Sequence, residues 1–259
     1  MASEQFQERF GGVQRLYGVD ETKKLADAHV CVVGIGGVGS WVAESLARSG
    51  VGELTLIDMD DIAESNTNRQ IHTLGETIGK PKVAVMAERV LSINPECQCH
   101  PVEDFIAEKN MERYLTSEMS YVVDAIDMVR AKAAMIAHCK RMKIPVVCIG
   151  GAGGQTDPLR VTCADLSRTV QDPLAAKLRS ALRRFYGFSK NPKRRFGIEC
   201  VYSTEQPIYP DGTGGTCQKK PENHAKTRLD CNLGFGASVC VTATFANVAV
   251  SRVIAKLLR

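Results

Sequence analysis

The sequence predicts an α/β fold: a Rossmann-like, doubly wound, mostly parallel sheet, followed by a C-terminal extension of strand, loop and helix. Two observations predict it. Short runs rich in β-branched residues alternate with longer segments of helical spacing, which is the order of βαβ units. The first run, residues 29–33, leads directly into a glycine turn and then into a helical segment. We therefore expect one domain over residues 1–259, with a nucleotide-binding core in residues 1–150 and the extension in residues 151–259.

The elements follow from local patterns in chain order. Residues 29–33 and 53–57 are apolar and β-branched, which is typical of buried parallel strands. Residues 38–49 carry apolar and small residues on one side, which predicts a helix with Gly50 at its C-terminal cap. The same patterns predict strands near 99–103, 121–126, 145–149 and 198–202, and helices near 81–93, 129–143 and 174–186.

The C-terminal part is harder to assign. Residues 206–232 are rich in Gly, Pro and Lys, which predicts a long loop. Residues 235–258 are apolar and long enough for a membrane span. Polar side chains such as Thr242, Asn247 and Arg252 argue against a span, so we expect no membrane and a helix buried at a dimer interface.

Composition narrows the class of protein. The chain has 259 residues, 44% of them hydrophobic, and a formal net charge of +4, which are ordinary values for a globular protein. The N-terminus lacks the apolar core of a signal peptide, and the 10 cysteines follow no disulfide pattern, so we expect a cytoplasmic location. No Cys-x-x-Cys pair occurs, so we expect no zinc site of the usual spacing.

The glycine turn is a candidate phosphate site. A strand, a turn containing Gly34, Gly36, Gly37 and Gly39, and a helix follow one another. Glycines allow a tight turn and close approach of phosphate, and the helix N-terminus offers free N–H groups. The motif alone fits any dinucleotide fold.

A polar segment after the second strand narrows the choice of nucleotide. Asp58 ends that strand, where a carboxylate can bind the ribose of NAD or of ATP. The residues that follow it and are expected at the same sheet edge are Asp60, Asn66, Arg69 and Gln70. Lys82 begins the next predicted helix near that edge, although taken alone it is better explained as a solvated surface charge. A hydride-transfer enzyme has no need of Arg69 there, whereas an enzyme that splits ATP uses a cation to stabilise charge on the phosphates.

At residues 9–150 the chain resembles the E1-like adenylating enzymes, which activate ubiquitin and ubiquitin-like sulfur carriers. The shared pattern is the glycine turn, Asp58-x-Asp60, Asn66-x-x-Arg69-Gln70, Lys82 and Asp124-x-x-Asp127. The resemblance implies that Asp58 holds the ribose, and that Asn66, Arg69 and Lys82 contact the triphosphate. It also implies that Asp127 holds Mg²⁺, and that Arg9 or Arg15 reaches the ATP of a partner subunit in a homodimer.

Over nearly its full length the chain resembles the bacterial tRNA threonylcarbamoyladenosine dehydratases. The matching segments are residues 9–12, 15–18, 150–155, 171–178 and 202–205. The resemblance implies that the chain uses ATP to cyclise the threonylcarbamoyl group on the adenosine next to the anticodon. A monovalent cation at the Gly150–Gly154 turn and a sulfur-relay protein partner, such as a cysteine desulfurase system, stay open.

Basic residues cluster in one segment. Residues 177–195 contain no acidic residue, and we expect them to bind tRNA phosphates through Lys177, Arg179, Arg183, Arg184, Lys193, Arg194 and Arg195. The alternative is a solvated basic helix. A second group that could serve the same purpose comprises Lys219, Lys220, Lys226 and Arg228.

Cys231 is a candidate nucleophile, because relatives that carry ubiquitin form a thioester with a cysteine. An intramolecular attack by the tethered carbamoyl oxygen would need no enzyme nucleophile, and a buried structural thiol is the alternative. Three other functions stay open: an adenylyltransferase for a sulfur-carrier protein, an NAD(P)-dependent oxidoreductase and a non-catalytic nucleotide-binding module.

Overall fold

Seven strands form the main sheet of the computed structural model, which describes residues 3–218 and 235–259. The order across the sheet is β3-β2-β1-β4-β5-β7-β6, and every neighbouring pair is parallel except β6 with β7. The strands, with a separate two-stranded hairpin of β8 and β9, are β1 (His29–Val33), β2 (Glu53–Ile57), β3 (Gln98–Val102), β4 (Tyr121–Asp124), β5 (Val146–Ile149), β6 (Val161–Asp165), β7 (Glu199–Ser203), β8 (Tyr209–Pro210) and β9 (Thr216–Cys217).

Helices cover both faces of the sheet. They are α1 (Glu4–Tyr17), α2 (Val19–Ala26), α3 (Gly39–Arg48), α4 (Lys82–Ile93), α5 (Met111–Tyr114), α6 (Val129–Met142), α7 (Pro173–Phe185) and α8 (Val239–Leu257). One apolar core joins α3, α4 and α8 to one face, and a second joins α5, α6 and α7 to the other. The predicted Rossmann-like α/β class is confirmed.

The order of the strands positions the site. After β1 the chain builds β2 and β3 on one side, and it then crosses to the other side of β1 to form β4. The direction of winding therefore reverses between β1 and β4. Open α/β sheets bind their ligands in the crevice at the carboxyl ends of strands at such a switch point.

Helix α3 carries the glycine turn at its N-terminus and is fixed at both ends. Its C-terminus closes as a Schellman motif: Gly50 has φ +77° and donates to the Ala47 carbonyl at 3.1 Å, and the Val51 N–H donates to the Leu46 carbonyl at 3.2 Å. The predicted capping role of Gly50 is confirmed. Val42 and Leu46 have no exposed surface, so packing fixes the helix beneath the turn.

Helix α8 is long and apolar enough to cross a membrane, with a mean hydropathy of 1.3 over its best window. Its buried face packs against α3 and the strands β5, β6 and β7. Val241, Phe245 and Val253 on that face have no exposed surface. The prediction that a dimer interface buries this helix is therefore wrong for this face, because the chain's own core covers it.

Two boundaries differ from the predicted ones in ways that affect the site. Strand β4 ends at Asp124, not at residue 126, and the Ile126 carbonyl beyond it accepts a hydrogen bond from the Lys132 ammonium. The stretch predicted as one long loop contains the hairpin β8–β9. Residues 219–232 of that stretch lie outside the described residues.

Candidate functional site

A cavity of about 360 Å³ opens at the carboxyl ends of the central strands. Residues from the ends of β1, β2, β4 and β5 line it, which is the edge where the topology predicts ligand binding. The structure brings the following predicted residues together in its wall: Gly34, Gly36, Gly37, Asp58, Asp60, Asn66, Arg69, Gln70, Lys82 and Asp127.

The glycine turn packs tightly against its neighbours. Gly34 has φ +90°, and a Cβ there would lie 2.9 Å from the Ala125 carbonyl oxygen. A Cβ on Gly39 would lie 1.7 Å from the Gly34 carbonyl oxygen. Gly39 does not line the cavity, so its assignment to the ligand site is corrected: it allows the helix to approach the turn closely.

Asp58 fixes the glycine turn to the end of β2. Its Oδ2 accepts a hydrogen bond from the Ile35 N–H at 2.6 Å, and its Oδ1 accepts one from the Asp60 N–H at 2.9 Å. The side chain is half-buried and lines the cavity. Asp58 therefore shapes the turn itself, in addition to the predicted contact with a ribose.

Arg69 is held rigidly in the cavity wall. Only 8% of the residue is exposed, and its Nη1 donates to the Ser65 carbonyl at 2.9 Å and to the Asn68 Oδ1 at 2.8 Å. Its stem packs on the glycine turn, since a Cβ on Gly37 would lie 3.2 Å from the Arg69 Cγ. The guanidinium is thus placed before any ligand arrives.

Lys82 is the first residue of α4, and only 5% of it is exposed. Its Nζ lies 2.7 Å from the Asp60 Oδ2, and its backbone N–H donates to the Asp60 carbonyl. Pro81 precedes it at the N-cap position of the helix. The ion pair holds the ammonium in the cavity wall.

Asn66 and Gln70 differ in how their polar atoms are used. The Asn66 Oδ1 accepts a hydrogen bond from the Ala63 N–H at 3.1 Å, so this side chain shapes its own loop. The Gln70 side chain is buried, and its Oε1 has no hydrogen-bond partner among the described residues. A buried unpaired amide oxygen in a cavity wall is suited to accept a hydrogen bond from a ligand.

His72 supports the site although no motif indicated it. Its Nε2 lies 3.0 Å from the Ile35 carbonyl oxygen in the glycine turn, and only 1% of the residue is exposed. Burial lowers the pKa of His72 to about 4, against the raising effect of this hydrogen bond. The ring is therefore neutral at pH 7 and donates from Nε2 to Ile35.

Asp127 lies between β4 and α6, where it is exposed and lines the cavity. Just before it, Asp124 forms a fully buried ion pair with Lys132, at 2.9 Å between Oδ1 and Nζ. Burial raises the pKa of Asp124 to about 6, and the Lys132 ammonium opposes that rise. The sequence spacing did not reveal this pair, because an Asp that precedes a Lys by eight positions matches no known motif.

The opposite wall is formed by the turn after β5 and the start of α7. The Asp172 carboxylate accepts hydrogen bonds from the Gly151 and Ala175 N–H groups, each at 2.9 Å, so it joins that turn to the helix. Pro173 and Leu174 line the cavity beside it. Burial raises the pKa of Asp172 above its usual range.

The basic segment, residues 177–195, leads away from the cavity along α7. At 1.5 Å per residue the 13 residues of α7 span about 20 Å. Arg179 hydrogen-bonds Thr169, and Arg183 donates to the Ser189 carbonyl at 3.3 Å, so both are half-buried. The exposed cations of the basic segment are Lys177, Arg184, Lys190, Lys193, Arg194 and Arg195.

The predicted N-terminal arginines do not reach this cavity. Arg9 and Arg15 lie on α1, are exposed, and are not among the described residues that line it. Arg9 donates to the Ile93 carbonyl at 3.2 Å, at the far end of α4. Cys231 and the second basic group, from Lys219 to Arg228, lie outside the described residues.

The described part of the chain contains no group of three or more His, Cys, Asp and Glu side chains arranged to hold a metal ion. Burial raises the pKa of Cys97 to about 11 and that of Cys99 to about 12, so neither thiol is activated as a nucleophile. The chemistry that the cavity supports is electrostatic: two fixed cations, a glycine turn and carboxylates around one space.

Comparisons with known proteins agree with this geometry. The model of the ThiF family matches residues 12–259. A tRNA threonylcarbamoyladenosine dehydratase of Haemophilus influenzae is 56% identical over 98% of this chain and 95% of that protein. Two crystal structures of the Escherichia coli tRNA N6-threonylcarbamoyladenosine dehydratase, in complex with AMP and with ATP, are each 50% identical, with TM-scores of 0.88. They cover 99% of this chain and 97% and 96% of theirs.

Proposed function

The chain belongs to the ThiF family, and we propose that it is an ATP-dependent tRNA threonylcarbamoyladenosine dehydratase. One observation carries the proposal: Arg69 and Lys82 are fixed in the wall of a cavity beside a glycine turn, within a chain that matches the dehydratases over nearly its full length. Two buried cations beside a phosphate-binding turn suit an enzyme that splits a nucleoside triphosphate.

The reaction has two balanced steps. A carboxylate oxygen of the threonyl group attacks the α-phosphorus of ATP, and the bond to the β-phosphate breaks to release pyrophosphate. The carbamoyl oxygen then attacks the activated carbonyl carbon, and the bond to AMP breaks as the nitrogen loses its proton. The product has lost one water relative to the substrate. The tethered oxygen already has a high effective concentration, so Cys231 is not needed as a nucleophile.

The residues of the cavity divide these tasks. Arg69 and Lys82 stabilise the charge that develops on the phosphates, and their fixed positions mean that little reorganisation is needed during the reaction. Asp58 accepts hydrogen bonds from the ribose hydroxyls at the end of β2. The Gln70 Oε1 accepts a hydrogen bond from the bound substrate.

We assign Mg²⁺ to Asp127. Its exposed carboxylate lies in the cavity with Asp58 and Asp60, and Mg²⁺ is usually held by one or two carboxylates together with phosphate oxygens. When bound, Mg²⁺ would neutralise charge on the triphosphate. A monovalent cation at the Gly150–Gly154 turn is part of the same proposal, because the backbone of that turn lines the cavity.

The remaining partners are inferred from the charged surface and from the position of the N-terminal arginines. The exposed cations of the basic segment would bind tRNA phosphates. Because Arg9 and Arg15 lie away from the cavity of their own chain, a homodimer would let one of them reach the partner's ATP. The sulfur-relay partner and the cytoplasmic location stay predictions from the sequence.

Mass spectrometry of nucleosides tests the proposed function. tRNA that carries threonylcarbamoyladenosine is incubated with the protein and ATP and then digested. We expect a modified adenosine lighter by one water, which is absent without ATP and absent with tRNA that lacks the modification. An unchanged nucleoside in the presence of ATP would contradict the proposal.

A further inference from the structure

A buried lysine lies next to the cavity and belongs to none of the sequence motifs of the site. Lys132 lies in α6, and none of its surface is exposed. An ammonium group removed from water is strongly unfavourable unless polar partners replace its hydration. The contacts that Lys132 makes therefore indicate what its charge does.

Three oxygen atoms surround the Lys132 ammonium. It pairs with the Asp124 Oδ1 at 2.9 Å, and it donates to the carbonyl oxygens of Asp124 at 3.1 Å and Ile126 at 2.9 Å. The two carbonyls lie on either side of Ala125. One side chain thus fixes both ends of the segment by which the chain leaves β4.

This segment is part of the cavity wall. The Ala125 N–H donates to the Val33 carbonyl at 2.9 Å, and the Ala125 carbonyl oxygen lies against Gly34, where a Cβ would approach within 2.9 Å. The next residue after Ile126 is Asp127, which lines the cavity. A shift of the segment would therefore move Asp127 relative to the glycine turn.

We propose that Lys132 is a positioning residue: its buried ammonium fixes the chain between Asp124 and Ile126, and so fixes Asp127 against the glycine turn. The role of Asp127 itself rests on the proposed function. Lys132 is fully buried and does not line the cavity, so it acts through the backbone. Asp124 supplies the opposite charge that allows the ammonium to be buried.

The test uses variants that separate positioning from folding. Lys132→Met leaves a buried carboxylate unpaired, so it can fail to fold. The double variant Asp124→Asn with Lys132→Met removes both charges at similar volume. It leaves no unpaired buried charge, so a folded protein can be tested. Lys140→Met is the matched control, because Lys140 lies on the same helix but is exposed, and its ammonium donates to the Phe196 carbonyl and not to residues 124–126.

We expect the charge-free double variant to keep its melting temperature and to lose turnover on the order of 10- to 100-fold, as expected for a misplaced catalytic group. The KM for tRNA should change less than about twofold, because the tRNA surface is not altered. In an Asp127→Asn background the same double change should cause no further loss of turnover. Lys140→Met should behave as the wild type.

Hydrogen–deuterium exchange supplies a measurement that needs no substrate. Amides of residues 124–128 should exchange faster in the double variant, with protection elsewhere in the sheet unchanged. If residues 124–128 of the double variant exchange at the wild-type rate, the proposal is overturned. It is also overturned if the losses of turnover caused by the double change and by Asp127→Asn multiply when the changes are combined. If the wild type does not cyclise tRNA, the proposed function fails, and the exchange measurement still decides whether Lys132 fixes the segment.

Discussion

Replacing Arg69 by Met should remove the charge that matters most to turnover and leave the fold intact. Met keeps an apolar stem of similar length against Gly37, so packing on the glycine turn is retained. Two hydrogen bonds, to Ser65 and Asn68, are lost, which costs about 2 kcal/mol of stability. The folded population of an ordinary domain survives a loss of this size.

The effect on turnover follows from how Arg69 is held. Its guanidinium is buried and fixed before the reaction, so its charge acts in a site of low dielectric without reorganisation. Losing one such group costs about 3 kcal/mol in the transition state, or about a hundredfold in turnover. The affinity for ATP alone should fall by less than about tenfold, because the ground state uses this charge less.

The assay is pyrophosphate release with saturating tRNA, together with calorimetric titration of ATP without tRNA. Arg48→Met is the matched control, because the Arg48 side chain is 61% exposed and lies at the other end of α3. It should leave turnover within about twofold, since surface substitutions have small effects. Equal losses of turnover and ATP affinity in Arg69→Met would refute the reasoning, and so would near-normal turnover.

Three further predictions follow from other parts of the structure. The pKa of His72, lowered by burial from 6.5 to about 4, favours the neutral ring in the folded state, so its stabilisation is complete above pH 6.5 and is lost as the pH falls to 4. His72→Gln should therefore remove a contribution of about 3 kcal/mol from the pH dependence of the free energy of unfolding between these pH values, measured by urea unfolding, and an unchanged pH dependence would contradict the assignment. Replacing the exposed cations of the basic segment by Ala should raise the KM for tRNA and reduce its salt dependence, with unchanged ATP affinity. If the variant binds tRNA as the wild type does at every salt concentration, the segment is only a solvated helix. The double variant Arg9→Ala with Arg15→Ala and the variant Arg69→Met should each be inactive alone. If the arginine acts across a homodimer, a mixture of the two variants should recover about a quarter of wild-type activity. No recovery would count against that arrangement.

The site could be predicted from the sequence where its residues follow one another along strands and turns. Gly34, Asp58 and Asp127 each come just after a predicted parallel strand, and the carboxyl ends of such strands meet at one edge. Arg69 and Lys82 lie in the segments that return from that edge. For Gly34, Asp58 and Arg69, local patterns and the rules of α/β topology indicated this edge, whereas Lys82 and Asp127 were assigned through the resemblance to the adenylating enzymes.

The supporting contacts could not be predicted, because they depend on packing between distant segments. The ion pair of Asp124 with Lys132 and the bond from His72 to Ile35 are visible only once the helices lie on the sheet. The contacts of Arg179 and Arg183 also depend on packing. The cluster of positive charge in the sequence predicted that both residues bind tRNA. Folding directs both toward oxygen atoms of their own chain.

The fate of one oxygen atom tests the central claim most directly. tRNA is prepared with ¹⁸O in the threonyl carboxylate, and the nucleotide products are analysed by mass spectrometry after reaction with the protein and ATP. If the carboxylate is adenylated and then attacked by the carbamoyl oxygen, each turnover leaves one ¹⁸O atom in AMP. Label in inorganic phosphate together with ADP would contradict adenylation, and so would unlabelled AMP.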